Sequence, residues 1–139
     1  MHQNIFVNLP VKDLERSMAF FRALGYGFNM DFTNEQAASL VLGDNLYAML
    51  LTEPFFQGFT GKPIADATRS TEVLVCLSCT SRDEVDTLVR KAREAGATVP
   101  RQPQDHGFMY GHGFEDLDGH IWELVHMADM QAATASIQG

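Results

Sequence analysis

The chain has 139 residues, 45% of them hydrophobic and 20% charged, which fits a single globular domain with a sizeable core and excludes a disordered chain. A net charge of −8 and a pI near 4.9 give a surface that repels phosphate backbones and anionic lipid, so neither nucleic acid nor a membrane is expected as a partner. No apolar run approaches the roughly 20 residues of a membrane span, and MHQNIFVNLP lacks the parts of a signal peptide, so a cytoplasmic location is expected.

In chain order, NIFVNL (4–9) reads as a short apolar strand ended by Pro10. DLERSMAFFRALG (13–25) then carries helix punctuation: Asp13 as N-cap, a stripe of Leu14, Met18, Phe21 and Leu24, and Gly25 to close. Three strands follow, YGFNMDF (26–32), AASLVL (37–42) and NLYAMLLT (45–52), the last two joined by a tight turn at Gly43-Asp44.

The same order then repeats. EVLVCLSC (72–79) is a strand, and SRDEVDTLVRKAREAG (81–96) is a helix with Ser81 and Glu84 in capping-box spacing. That helix buries Val85, Leu88, Val89 and Ala92 and stops at Gly96. TVPRQP (98–103), FMYGHGFED (108–116) and HIWELVHM (120–127) supply three more strands. The organisation is module one at about 4–52, a linker or arm at 53–71, module two at about 72–127, and a flexible tail at 128–139. The linker is Gly- and Pro-containing and holds Phe55, Phe56 and Phe59, which suits a functional loop or a dimer arm. The fold class is α+β, with two βαβββ modules curling into a half-open β-barrel whose inner face lines a cavity.

Cys76 and Cys79 form a CxxC inside EVLVCLSCT, an apolar run that reads as a buried strand. Strand geometry sends residues three apart to opposite faces, so a structural role is expected rather than a redox or zinc site.

The paired modules, NLPVKDLERSMAFFRALGY (8–26) and FEDLDGHIWEL (114–124) resemble the vicinal oxygen chelate superfamily. That group comprises glyoxalase I, bleomycin-resistance proteins, fosfomycin-resistance enzymes and extradiol dioxygenases. The likeness runs over about residues 4–127 and is strongest to glyoxalase-like proteins labelled predicted lactoylglutathione lyases. The resemblance implies a metal held by four inward ligands, one from each of four strands, and acting as a Lewis acid. Carried onto this sequence, the last ligand is Glu123. The first falls at Phe6, the next at about Leu50 with Met49 as its neighbour, and the third at about Leu74, two positions from Glu72. One carboxylate among hydrocarbons does not hold zinc, nickel or iron. No cofactor is therefore expected, and a divalent metal, if one binds, would use Glu123.

The turn Asp116-Leu117-Asp118-Gly119 joins the last two strands. If Glu115 faces His120 across it, His112 faces Glu123. Phe108, Tyr110, His112 and Phe114 then share the cavity face with Ile121, Glu123 and Val125, and Asn8 joins Phe6 from the first strand. On this reading Glu123 and His112 are an acid–base pair, each shifting the other's pKa, or else a buried pair that only satisfies its own hydrogen bonds. Phe6, Leu50, Leu74, Phe108, Tyr110 and Phe114 are the ligand-binding walls. His120 and His126 belong to the opposite face, and His106 sits at the cavity mouth.

Three functions follow from these residues. The first is a small-molecule binder without an intact metal centre, favouring a cationic ligand. The second is a glyoxalase-type lyase or isomerase using Glu123 and His112. The third is an interaction protein whose phenylalanine arm makes a homodimer.

Overall fold

The computed structural model describes residues 1–128 and divides the chain into two compact units, Met1–Asp66 and Ala67–Gly139. Most of the tail expected to be flexible therefore lies outside the described residues. Among these residues no helix is long and apolar enough to cross a membrane.

The first unit runs β1 (Ile5–Val11), α1 (Leu14–Ala23), β2 (Gly27–Asn29), a 3₁₀ turn (Met30–Phe32), β3 (Ala37–Gly43), β4 (Leu46–Thr52) and α2 (Glu53–Gln57). Its sheet has the order β1-β4-β3-β2, with β1 parallel to β4 and the other pairs antiparallel. Asp13 caps α1 as its spacing requires, accepting from the Arg16 amide at 3.1 Å. Strand β1 continues through Pro10 because it lies on the sheet edge, where a missing N–H interrupts no ladder. The stretch 26–32 is shorter as a strand than expected. Asn29 accepts from the Asp31 amide at 3.1 Å and folds the chain into a 3₁₀ turn instead. Helix α1 packs on β3 and β4, over the sheet face that carries Leu9, Leu40, Ala48 and Leu50. The linker is helical in its first five residues, with Pro54 at the helix start and Phe55 edge-on to Phe59.

The second unit runs β5 (Leu74–Ser78), α3 (Arg82–Glu94), β6 (Gln104–Asp105), β7 (Met109–Glu115) and β8 (Ile121–Met127). Its sheet repeats the topology of the first as β5-β8-β7-β6, again with one parallel pair at the edge. Each unit is thus one βαβββ module, as the duplicated pattern requires. Ser81 caps α3 by accepting from the Glu84 amide at 3.0 Å. Val85, Val89 and Ala92 are buried, and α3 packs on β7 and β8.

Three local expectations change here. TVPRQP is reduced to one bridge between Thr98 and Glu115, because Pro100 and Pro103 cannot donate to a ladder; the fourth strand is the two-residue β6. Strand β5 is not fully buried: its residues alternate, with Leu74, Cys76 and Ser78 exposed. Both cysteines are free, Cys76 exposed and Cys79 buried just beyond the strand end.

Candidate functional site

The site begins with a turn. Asp116 is buried, and its Oδ1 accepts from the amides of Asp118 (2.9 Å) and His120 (3.0 Å) while Oδ2 accepts from Trp122 Nε1 (2.9 Å). The Asp116 amide donates to the His120 carbonyl at 2.9 Å, closing a three-residue loop, Leu117 to Gly119. Gly119 ends that loop at φ 89°, the left-handed position such hairpins need. A methyl group there would also strike the backbone of Ala67 and Thr68 at 2.8 Å.

This loop sets the register of everything above it. Asp116 pairs with His120, so Glu115 lies opposite Ile121, one residue away from the expected partner His120. A one-residue shift exchanges the two faces of a strand. Gly113, not His112, lies opposite Glu123, and Gly111 lies opposite Val125. His112 and Phe114 fall opposite Leu124 and Trp122, on the face that meets α3. The expected His112–Glu123 acid–base pair is therefore corrected: the two side chains leave opposite faces of the sheet. His112 is buried, and its Nε2 donates to the Arg101 carbonyl at 2.7 Å, which fixes the loop before β6.

The other predicted wall residues separate in the same way. Tyr110 turns to the helix side, where its hydroxyl donates to Asp86 at 2.6 Å and its ring lies under the Arg82 guanidinium at 5.0 Å. Phe114 is 3% exposed and pairs with Trp122 in the sheet, so at the cavity it forms part of the floor rather than a projecting wall. Phe108 is exposed and lies outside the cavity lining. In the first unit Phe6 is exposed and stacked on Tyr47 at 5.0 Å, while the exposed Asn8 donates to the Phe6 carbonyl at 3.3 Å. Leu50 is in register with Leu9 and fully buried, so it belongs to the core; Met49 shares the face of Asn8. Leu74 does line the cavity, in register with Ile121. His126 Nδ1 bonds the Cys79 carbonyl at 3.1 Å on the face away from Glu123, and His106 stands exposed at the cavity rim.

The cavity occupies the sheet face of the second unit opposite α3 and measures about 270 Å³. Leu74, Met109, Ile121 and Val125 form its apolar part, with Glu115 and Glu123 among them and Arg101, Gln102, Gln104 and His106 along one side. Gly111 and Gly113 leave the middle of this face of β7 without side chains. A Cβ on Gly113 would meet Glu123 Oε2 at 2.9 Å and Cδ at 3.1 Å, so the carboxylate lies directly over that glycine. Cys76 is the neighbour of Glu123 on its other side, across the parallel β5–β8 pair. Burial and then the Glu123 charge push its thiol above the ordinary 9.0. Sequence reasoning missed Gly111, Gly113 and Cys76; the signal was the spacing of two in GHGF (111–114), which leaves one strand face without side chains.

Helix α3 holds the rim from behind. Arg82 donates to both carboxylate oxygens of Asp105, at 2.7 and 2.9 Å, and to the Gly107 carbonyl at 3.3 Å. The Arg82 hydrogen bonds to Asp105, and then that from the Gly107 amide at 2.9 Å, hold the Asp105 carboxyl at about 2.

The resemblance implies a divalent metal at Glu123, and the residues present there decide whether one fits. On the sheet around Glu123 the neighbours are a glycine, a thiol and hydrocarbons, and the first-strand position is the phenylalanine stacked on Tyr47. Among the described residues no three His, Cys, Asp or Glu side chains are grouped to hold a metal ion. These residues do not fit the chelate that the pattern implies.

Comparison with known proteins agrees with the architecture. Residues 3–43 match the model of the bleomycin resistance protein-like N-terminal family. The structure of hypothetical protein SA1046 from S. aureus is 32% identical, over 91% of this chain and 95% of that one, with a TM-score of 0.76. A glyoxalase/bleomycin resistance protein/dioxygenase family enzyme from Burkholderia phytofirmans PsJN superposes with a TM-score of 0.72 at 16% identity, covering 88% of this chain and 96% of that one. The fosfomycin resistance protein FosX from Mesorhizobium loti gives 0.68 at 15% identity, covering 96% and 99%. None of the curated proteins matches the sequence. The fold is that of the glyoxalase/bleomycin-resistance/dioxygenase group, and the chain belongs to the vicinal oxygen chelate superfamily.

Proposed function

We propose that this protein binds a small organic molecule in the cavity of its second module without a metal centre. The observation that carries the reading is the Glu123 carboxylate laid over Gly113 inside a largely apolar recess. A recess that combines hydrocarbon walls with a few polar groups is the usual form of a ligand site. The donor set around Glu123 supports the metal-free part, and the match to a family named for bleomycin resistance supports binding as the activity. Exposed Ile5, Phe6, Leu46 and Phe59 support a homodimer as part of the same reading.

A glyoxalase-type lyase or isomerase is the second reading, and the same half-buried carboxylate favours it as a proton acceptor. Its proton transfer runs through Glu123 alone, since His112 is on the far face of the sheet. A thermal-shift screen of metabolites, aldehyde–thiol adducts and antibiotics, with and without Zn²⁺, Ni²⁺ or Fe²⁺, tests both. The expected result is metal-independent stabilisation by at least one compound, lost in Glu123→Gln. Stabilisation only in the presence of metal refutes the first reading, and turnover of an adduct establishes the second.

A further inference from the structure

The Glu123 carboxylate is half-buried, and among the described residues no hydrogen bond or ion pair reaches it. Ion pairs join Arg82 to Asp105 and Arg90 to Glu94, away from Glu123. Arg101, on the cavity side, has an exposed side chain within salt-bridge distance of no carboxylate in the same set. A carboxylate partly shielded from water and left without a partner is stabilised when a cation joins it.

The surroundings narrow the cation. Leu74 and Ile121 pair across β5 and β8 beside Glu123, and Val125 follows two residues on, so apart from the single Cys76 thiol the charge is flanked by hydrocarbon. That suits an organic cation better than a hydrated metal ion. The strand beside it carries no Cβ at Gly111 or Gly113: the carboxylate fills the space over Gly113, and the backbone of Gly111 gives the adjoining floor. A volume of about 270 Å³ is at the small end of ligand sites, which holds a body of one ring.

Building on the binding reading above, we propose that this recess is a subsite for a planar organic cation, an aryl amidinium of single-ring size. Its ring lies on Gly111, beside Val125, and its charge meets the Glu123 carboxylate that covers Gly113. Gly113 is then a positioning residue: a methyl group there would collide with Trp122 O at 2.7 Å and with the Glu123 carboxylate, moving the acid from its place.

Calorimetric or ligand-observed NMR titration of the full chain with benzamidinium, benzamide and benzoate tests this directly, because the three probes share a ring and differ in charge. Benzamidinium is expected to bind about tenfold more tightly than benzamide, the worth of one charge-assisted hydrogen bond. Benzoate is expected to bind more weakly than either. Glu123→Gln, which keeps the side chain's shape, and Gly113→Ala should each abolish the preference, with no further loss in the double variant. Benzamidinium should also slow alkylation of Cys76, which places the probe beside Glu123. Equal affinity for benzamide, tighter binding of benzoate, a preference that survives Glu123→Gln, or no benzamidinium binding overturns the assignment. Equal binding of the neutral probe removes the cation while leaving a ligand cavity; the wider proposal falls only if the screen above yields no ligand.

Discussion

Replacing Asp116 by alanine removes the acceptor of three N–H groups at once. The donor from Trp122 has nowhere else to turn, since that residue is 1% exposed, and a buried unsatisfied donor costs about 1–3 kcal/mol. The amides of Asp118 and His120 sit in a half-buried turn where water can replace the carboxylate, so each adds roughly 0.5 kcal/mol. Relief from burying the carboxylate offsets part of this, leaving a net loss of about 2–3 kcal/mol. Trp122 is the sole tryptophan, so its fluorescence reports urea unfolding without a label. With a slope of about 1–3 kcal/mol/M, the midpoint should fall by roughly 1–2 M. Burial raises the Asp116 carboxyl above its ordinary 3.8, against the opposing pull of His120 and the N–H donors. The native state therefore keeps that proton where the unfolded chain has released it. The contribution to stability is fully present below the unfolded value and declines as pH rises through the raised native one, a slope that Asp116→Ala should flatten. A variant within about 0.5 kcal/mol of wild type would refute the view that this carboxylate anchors the turn.

Alkylation of the native protein at pH 8 should modify Cys76 first. Cys79 is buried, and burial followed by Glu84 pushes its thiol up to about 12; equal rates by mass spectrometry would contradict this placement. Arg82→Ala should raise the Asp105 carboxyl from about 2 toward the ordinary 3.8, read by NMR titration. Because that value is depressed in the folded state, its stabilisation is present above 3.8 and lost as pH falls through about 2, a feature the variant should lack. Leu50→Ala should cost about 2–5 kcal/mol in chemical denaturation and leave benzamidinium affinity unchanged, since the side chain fills the first module's core.

Much of this architecture was legible before any coordinates. The two helices announced themselves through Asp13 and Ser81 as caps and through apolar stripes, because capping and amphipathic burial are local physics. The repeat of strand, helix and strands gave two modules, and alternation along HIWELVHM placed Glu123 and His126 on opposite faces. What the residues could not supply was the length of one loop. DLDG permits more than one hairpin, and the choice depends on a buried carboxylate reaching Trp122, six residues further along the chain. That contact fixes a three-residue loop and shifts the register by one. It hands the position opposite Glu123 to Gly113 and sends His112 to the other side. Leu50 and Met49 differ by one position in the same way, and only pairing with β1 decides which of them is core. A strand's alternation is local, but its phase against a neighbouring strand is set by turns and side chains that meet only when the chain folds.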